Sequence, residues 1–170
     1  IDLISRAVKI NGTLQAEELN VVTGANKVAY SDLQAEQMSA ATVKPALALD
    51  VSALGGMYAG RITMVGTENG VGVKNAGVME AVGEAGSILL NVNGRITFIQ
   101  SVETENGESS VLSRVTAQKN IELQSSDTIE FADDVTAGVD FTVNAKNIIA
   151  DKQLTAGIYR PTSATDDGVE

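Results

Sequence analysis

Apolar and polar residues alternate in short runs along this chain. In Asn120-Ile121-Glu122-Leu123-Gln124, and again in Asp140-Phe141-Thr142-Val143-Asn144, every second residue is apolar. A period of two predicts half-buried strands with Ile121, Leu123, Phe141 and Val143 facing inward. The two runs belong to a repeat. Val115-Thr116-Ala117 recurs 20 residues on as Val135-Thr136-Ala137, and the same offset pairs Ile121 with Phe141, Leu123 with Val143, Asp127 with Asn147 and Ile129 with Ile149. Asp127 and Asn147 stand where a turn separates the first strand from a second, shorter one; both residue types tolerate left-handed backbone.

An earlier copy lies 33 residues upstream, with Ile88 matching Ile121, Leu90 matching Leu123, Ile96 matching Ile129, Phe98 matching Phe131, and Gly94 in the place of Asp127. The 13 extra residues fall in Ser101–Ser113, a polar stretch holding the turn signal Asn106-Gly107, which predicts a loop protruding from the stack. Leu154-Thr155-Ala156-Gly157 reads as a last partial copy. Two short strands and a turn in about 20 residues fit no helical repeat and predict an all-β solenoid, a right-handed parallel β-helix. At about 20 residues per coil and ~4.8 Å per coil, the whole chain would make about eight coils and a rod of roughly 40 Å.

The first half reads as the same architecture with less regularity. Arg6–Gly12, Leu19–Gly24, Leu47–Val51, Arg61–Val65 and Gly70–Val73 read as strands and turns. Ala29–Lys44 is polar and Ala-rich and predicts either a short helix or a long excursion. Pro161 to Glu170 is rich in Ser, Thr, Asp and Gly and is expected to fray.

Two blocks carry a resemblance. One is Asp50-Val51-Ser52-Ala53-Leu54-Gly55-Gly56-Met57-Tyr58-Ala59-Gly60-Arg61-Ile62, followed by Val65-Gly66-Thr67-Glu68-Asn69-Gly70-Val71-Gly72-Val73-Lys74-Asn75-Ala76-Gly77. The other is Ser5-Arg6-Ala7-Val8-Lys9-Ile10-Asn11 with Leu19-Asn20-Val21-Val22-Thr23-Gly24-Ala25-Asn26. Over residues 1 to about 80 the chain resembles filamentous haemagglutinins and the contact-dependent growth-inhibition toxins that share their architecture. The resemblance implies export by two-partner secretion, in which a dedicated outer-membrane β-barrel transporter recognises an amino-terminal secretion domain. The exported chain then forms a β-helical filament at the cell surface. That family's Asn-Pro-Asn type motifs are absent here. The resemblance therefore places residues 1–80 at the end of the secretion domain, 81–160 in the first haemagglutinin-type repeats and 161–170 in a tail, with the signal peptide upstream of this segment.

Composition narrows the chemistry. The apolar residues are 44% of the chain, enough for a core, yet aromatics are only 4%, so that core must be built from Val, Ile, Leu and Ala. The net charge of −10 argues against nucleic acid and against docking on anionic lipid. With no His and no Cys, neither a Ser–His–Asp nor a Cys–His nucleophile can be assembled, nor a Cys/His zinc site. Cysteine absence decides little about compartment, since stacked coils brace one another without disulfides. No apolar run reaches the ~18 residues of a membrane span.

Few residues remain as candidates. Gly55-Gly56, Gly70 and Gly72 lack the Lys-Ser/Thr of a phosphate loop and read as turn glycines. Asp133-Asp134 and Asp166-Asp167 suggest calcium, but adjacent Asp side chains on a strand diverge, and Asp133-Asp134 reads as a solvated corner. Glu122 and Asp140 fall on neighbouring coils and are candidates for paired-carboxylate chemistry by position alone. Phe98, Phe131 and Phe141 belong to the core. The expected function is a rigid, non-catalytic scaffold with no catalytic, cofactor or metal residues. A module that binds a host glycan or a target-cell receptor, through its outer face or the Ser101–Ser113 loop, is the alternative. A β-helical carbohydrate-active enzyme ranks behind both.

Overall fold

A computed structural model describes residues 1–39 and 43–157. The chain winds round one axis and lays down three faces. β1 (Asp2–Ser5) and β2 (Val8–Ile10) open the stack. β3 (Thr13–Thr23) crosses two faces without a break, and the chain then leaves as a hairpin, β4 (Asn26–Val28) against β5 (Ala35–Gln37). β6 (Leu47–Val51) returns, β7 (Gly56–Gly66) again crosses two faces, and β8 (Gly72–Asn75) closes that coil. Below it each coil has three short strands. β9 (Val78–Ala81), β10 (Ser87–Val92) and β11 (Ile96–Ile99) are followed by a second hairpin, β12 (Val102–Glu105) against β13 (Glu108–Val111). Then come β14 (Arg114–Ala117), β15 (Ile121–Ser125), β16 (Thr128–Ala132), and β17 (Val135–Ala137), β18 (Phe141–Asn144), β19 (Asn147–Ala150), with β20 (Leu154–Thr155) last.

Every pairing between coils is parallel; only the two hairpins are antiparallel. The protein is an all-β parallel β-helix, and no helix occurs among the described residues. The stretch expected to hold either a helix or an excursion is an excursion, the β4–β5 hairpin, with residues 40–42 outside the described part. The tail expected to fray likewise lies outside the described residues.

The third face, β2-β6-β8-β11-β16-β19, counts six coils among the described residues, not eight. Parallel spacing gives that face a height of roughly 24 Å, since five gaps of ~4.8 Å separate its strands. The shortfall has a physical cause. Val8 stands opposite Leu49 and Ile88 opposite Ile121, so the two coils carrying hairpins consume 41 and 33 residues on those faces. The last full coil takes 20: Val115 opposite Val135, Ile121 opposite Phe141.

The inward ranks explain why these residues stack. Leu19, Ile62, Ile88, Ile121 and Phe141 lie one above another on the second face. Val8, Leu49, Val73, Ile96, Ile129 and Ile148 do so on the third. Ala16, Ala59, Ala81, Ala117 and Ala137 form an all-alanine rank on the first. Phe98 and Phe131 stack with centroids 5.5 Å apart, and Phe141 meets Phe131 edge-on at 5.8 Å. Phe98 and Phe131 are fully buried, and Phe141 is half-buried on the last coil.

One register differs from the sequence repeat. Ile129 stands opposite Ile148, not Ile149, and Asn147 opposite Thr128, not Asp127. β18 is one residue shorter than β15, so the last coil turns its corner one residue early, and the Asp127 carbonyl accepts from both Lys146 N (2.8 Å) and Asn147 N (3.4 Å). A one-residue slip exchanges the faces of a strand, so Ile148 continues the inward rank and Ile149 the outward one.

Corners are packed backbone on backbone. A Cβ at Gly77 would fall 2.0 Å from Gly55 O and 2.5 Å from Ser52 O. At the tip of the second hairpin Asn106 (φ 52°) and Gly107 (φ 84°) both take left-handed backbone, the requirement of a two-residue I′ turn.

Candidate functional site

The polar residues of the upper corner come together first. β3 ends at Thr23, one coil above Gly66 at the end of β7, and the chain then swings out into the first hairpin. Asn26 Nδ2 donates to Thr23 O (2.9 Å), Thr67 Oγ1 donates to Asn26 Oδ1, and Asn93 Nδ2 reaches up to Thr67 O (2.8 Å). Lys44 Nζ donates to Asn69 O (2.7 Å) where the excursion returns.

Through this corner runs an ion pair. Arg6 Nε and one terminal nitrogen donate to the two oxygens of Glu68, at 3.1 and 2.8 Å. Arg6 follows β1 and Glu68 follows β7, so the pair spans the coil between them. Gly24 makes this reach feasible: a Cβ there would fall 2.4 Å from Thr67 Oγ1 and 3.2 Å from Glu68 N. Glu68 is 3% exposed. The Arg6 guanidinium, by hydrogen bonding, holds its carboxyl below the usual carboxylate range, against burial, which pushes the other way. A bidentate pair of this kind is directional and largely satisfied from within the chain, so it closes a corner and offers no ligand a vacant partner. Its one legible signal was a Glu inside a block otherwise rich in Gly and Val.

Of the glycine candidates, Gly55 and Gly70 are corner residues, as their sequence suggested, while Gly56 and Gly72 open β7 and β8. A Cβ would lie 2.4 Å from Ile10 O at Gly55 and 2.5 Å from Arg95 O at Gly72; Gly70 has φ 77°. Such close approach is between coils, and among the described residues no helix N-terminus stands near to hold a phosphate.

Asp133 and Asp134 diverge as expected, with Asp134 solvated and Asp133 not. Asp133 is 1% exposed, because its side chain turns under the corner and its Oδ1 accepts from Asp134 N (2.9 Å). Its Oδ2 has no donor among the described residues. Asp134 is exposed, and its Oδ1 accepts from Gln153 N in the next coil (2.9 Å). No group of three or more carboxylates gathers to hold a metal among the described residues, and Asp166-Asp167 lies outside them.

Glu122 and Asp140 lie on neighbouring coils, two positions out of register. Glu122 stands opposite Thr142 on the outer second face, while Asp140 sits at the strand entrance, its N–H donating to Asn120 Oδ1 (3.3 Å). Both are exposed. The 101–113 insertion is the second hairpin. Its root, with Gln100, walls a cleft of about 540 Å³ on the first face whose other lining includes Tyr58, Arg114, Thr116, Thr136 and Asp134. Nothing in the alternation pattern marked this cleft, because it depends on which face the hairpin leaves.

These features describe a stacked β-helix closed by its own polar corners. The family model of the TPS (two-partner secretion) secretion domain matches residues 1–90, over half of the chain, and this chain belongs to that family. It is 49% identical over 98 residues, 58% of its length, to tRNA nuclease CdiA-2 of Burkholderia pseudomallei strain 1026b. It is 45% identical over 97 residues, 56% of its length, to toxin CdiA of Yersinia pestis, and 43% over 98 residues, 58% of its length, to 16S rRNA endonuclease CdiA of Enterobacter cloacae. Each alignment covers 3% of the relative's length. No solved structure matches the chain. The chain is thus a segment of a two-partner secreted exoprotein, of the filamentous-haemagglutinin and contact-dependent-inhibition type.

Proposed function

We propose that this segment is a rigid, non-catalytic scaffold that carries other modules of its exoprotein away from the producing cell. The observation that carries this reading is the set of unbroken inward ranks. Side chains of successive coils stand in register, so each coil completes the core of the one before it and stiffness accumulates along the axis. On this reading residues 1–80 end the secretion domain and 81–160 begin the filament. The partner is the outer-membrane transporter of two-partner secretion, engaged through the upstream part of that domain, and the signal peptide lies upstream too. The relatives' nuclease and toxin names belong to chains of which this segment matches 3%, so no such activity is assigned to it.

Stacking also gives export a direction. A coil that has emerged presents unpaired strand edges on which the next coil pairs, and folding outside opposes backsliding. Ile121→Asp in the full exoprotein tests both statements, since it places an unpartnered charge in the stack. Surface display, measured by antibody labelling of intact cells, should fall sharply. Display at the unmodified level would remove the scaffold reading.

A further inference from the structure

Asp50 Oδ1, Asn75 Oδ1 and Asp133 Oδ2 are buried and have no hydrogen-bond donor among the described residues. The three are not equal. Asp50 Oδ1 faces Lys74 Nζ at 2.8 Å, and Asn75 is a neutral amide whose nitrogen donates to Gly77 O (3.0 Å). Asp133 is a carboxyl group, 1% exposed, and forms no ion pair among the described residues. A buried charge without a partner costs far more than a buried neutral group, so Asp133 Oδ2 is the oxygen that calls for a positive partner.

Its surroundings are oxygen-rich. Asp133 belongs to the corner between the third face and the first, one coil below the root of the second hairpin. The register that sets Val115 opposite Val135, continued two residues back, puts Ser113 over Asp133. Ser113 is buried as well, and its Oγ accepts from Ser101 N (2.9 Å). Gln100 N donates to Ala132 O (3.0 Å), which brings the Gln100 side chain to the same corner; that side chain has no partner among the described residues. Gln100, Ser113 and Asp133 all line the cleft of about 540 Å³. Asp134 is taken up by Gln153 N, but it lines the same cleft and adds negative charge to it.

We propose that this corner holds a calcium ion. Asp133 Oδ2 is its anionic ligand, Ser113 Oγ and Gln100 Oε1 are neutral ligands, and water from the cleft completes the shell. The donor set selects the metal. It is oxygen only, without the His or Cys that zinc takes. Calcium accepts about six to eight oxygens in loose geometry, whereas magnesium demands a near-ideal octahedron that a corner with one carboxylate does not build. A single carboxylate also sets the affinity in the weak range, about 0.1 to 1 mM. The ion joins the coil that carries the second hairpin to the coil below it, as the Arg6–Glu68 pair joins coils at the upper corner.

The test is thermal unfolding of the 170-residue chain with CaCl2 from about 0.1 to 10 mM at constant ionic strength. The midpoint should begin to rise at about 1 mM or below and gain about 4 °C at the highest concentration; MgCl2 should give less than about half of that gain. Asp133→Asn keeps the oxygen that accepts from Asp134 N but loses the charge, and it should abolish the calcium effect. Gln100→Ala, at a partly exposed position, should weaken the apparent calcium affinity severalfold, so the proposal stays testable if Asp133→Asn does not fold. Terbium in place of calcium reads position. Tyr58 lines the cleft, so tyrosine excitation should sensitise terbium emission, and Tyr58→Phe should remove that emission while leaving the calcium-dependent rise intact. No rise with calcium, an equal rise with magnesium or in Asp133→Asn, unchanged affinity in Gln100→Ala, or terbium emission that survives Tyr58→Phe would overturn the proposal.

Discussion

The upper and lower parts of this stack solve the same problem differently. In the upper coils two strands of 11 residues, β3 and β7, run across a corner unbroken, one corner sends out a hairpin, and polar side chains close the opening. In the lower coils every strand is short, turns are tight, and the interior is closed by aliphatic ranks and the three phenylalanines. The difference shows that a parallel β-helix tolerates a long detour wherever something else fills the corner. The Arg6–Glu68 pair does this in the upper part. In the lower part the second hairpin leaves a corner where Ser101 N donates to the buried Ser113 Oγ (2.9 Å) and Ser101 Oγ donates to Ala76 O (2.6 Å).

Substitution in the lower core should have the largest effect. Ile121→Asp buries an unpartnered charge among aliphatic side chains and should cost about 4 kcal/mol or more, while Val143→Asp, half-buried on the last coil, should cost clearly less. Urea unfolding of the two variants checks the order; equal losses would mean that the last coil is covered more fully than its exposure indicates.

Corner crowding comes next. Gly77→Ala sets a methyl against two carbonyl oxygens of the coil above and should cost about 3 kcal/mol by overpacking. Gly107→Ala, with open space around it, should lose only the preference of glycine for its positive φ, about 1 kcal/mol. Thermal melts of the pair separate contact from conformation.

The ion pair should show itself through pH. The Glu68 carboxyl is held below its ordinary 4.5, so its contribution is complete above that value and is lost as pH falls through the depressed folded value. Glu68→Gln should therefore melt below the wild type at pH 7, with the gap narrowing at acid pH below 4.5. A gap independent of pH would mean that packing, and not charge, closes the corner.

The smallest effect should come from the second hairpin. Replacing 102–111 by a two-residue turn should change stability by about 1 kcal/mol or less, since a surface excursion costs little to close. A large loss would show that the hairpin supports the stack.

The lower half was legible because period-two alternation and a repeat of about 20 residues coincide there. The pairs Ile88–Ile121, Phe98–Phe131, Val115–Val135 and Leu123–Val143 could be read directly from the chain. The repeat misled at Ile129, because identical residues at 148 and 149 hide a corner that is one residue shorter. The upper half hid its coil length behind the first hairpin. Arg6 and Glu68 lie 62 residues apart, and no local pattern links them. Asp133 read as solvated because an Asp-Asp pair at a turn carries no sign of which side chain folds under. The cleft on the first face escaped for a similar reason: Tyr58, Gln100 and Asp134 line one hollow only once the coils are stacked.

The central claim is that the exported segment stands at the cell surface as this stack, in this register. The chain has no native cysteine, so the pair Glu122→Cys with Thr142→Cys can be placed in the full exoprotein without competing thiols from this segment. These positions are exposed and directly opposite on neighbouring parallel strands, whose spacing of ~4.8 Å lies within disulfide range. Mild oxidation of intact cells, read by proteolytic mapping of the displayed protein, should show the cross-link at positions 122 and 142 nearly complete. Normal display with both thiols still free would contradict the account.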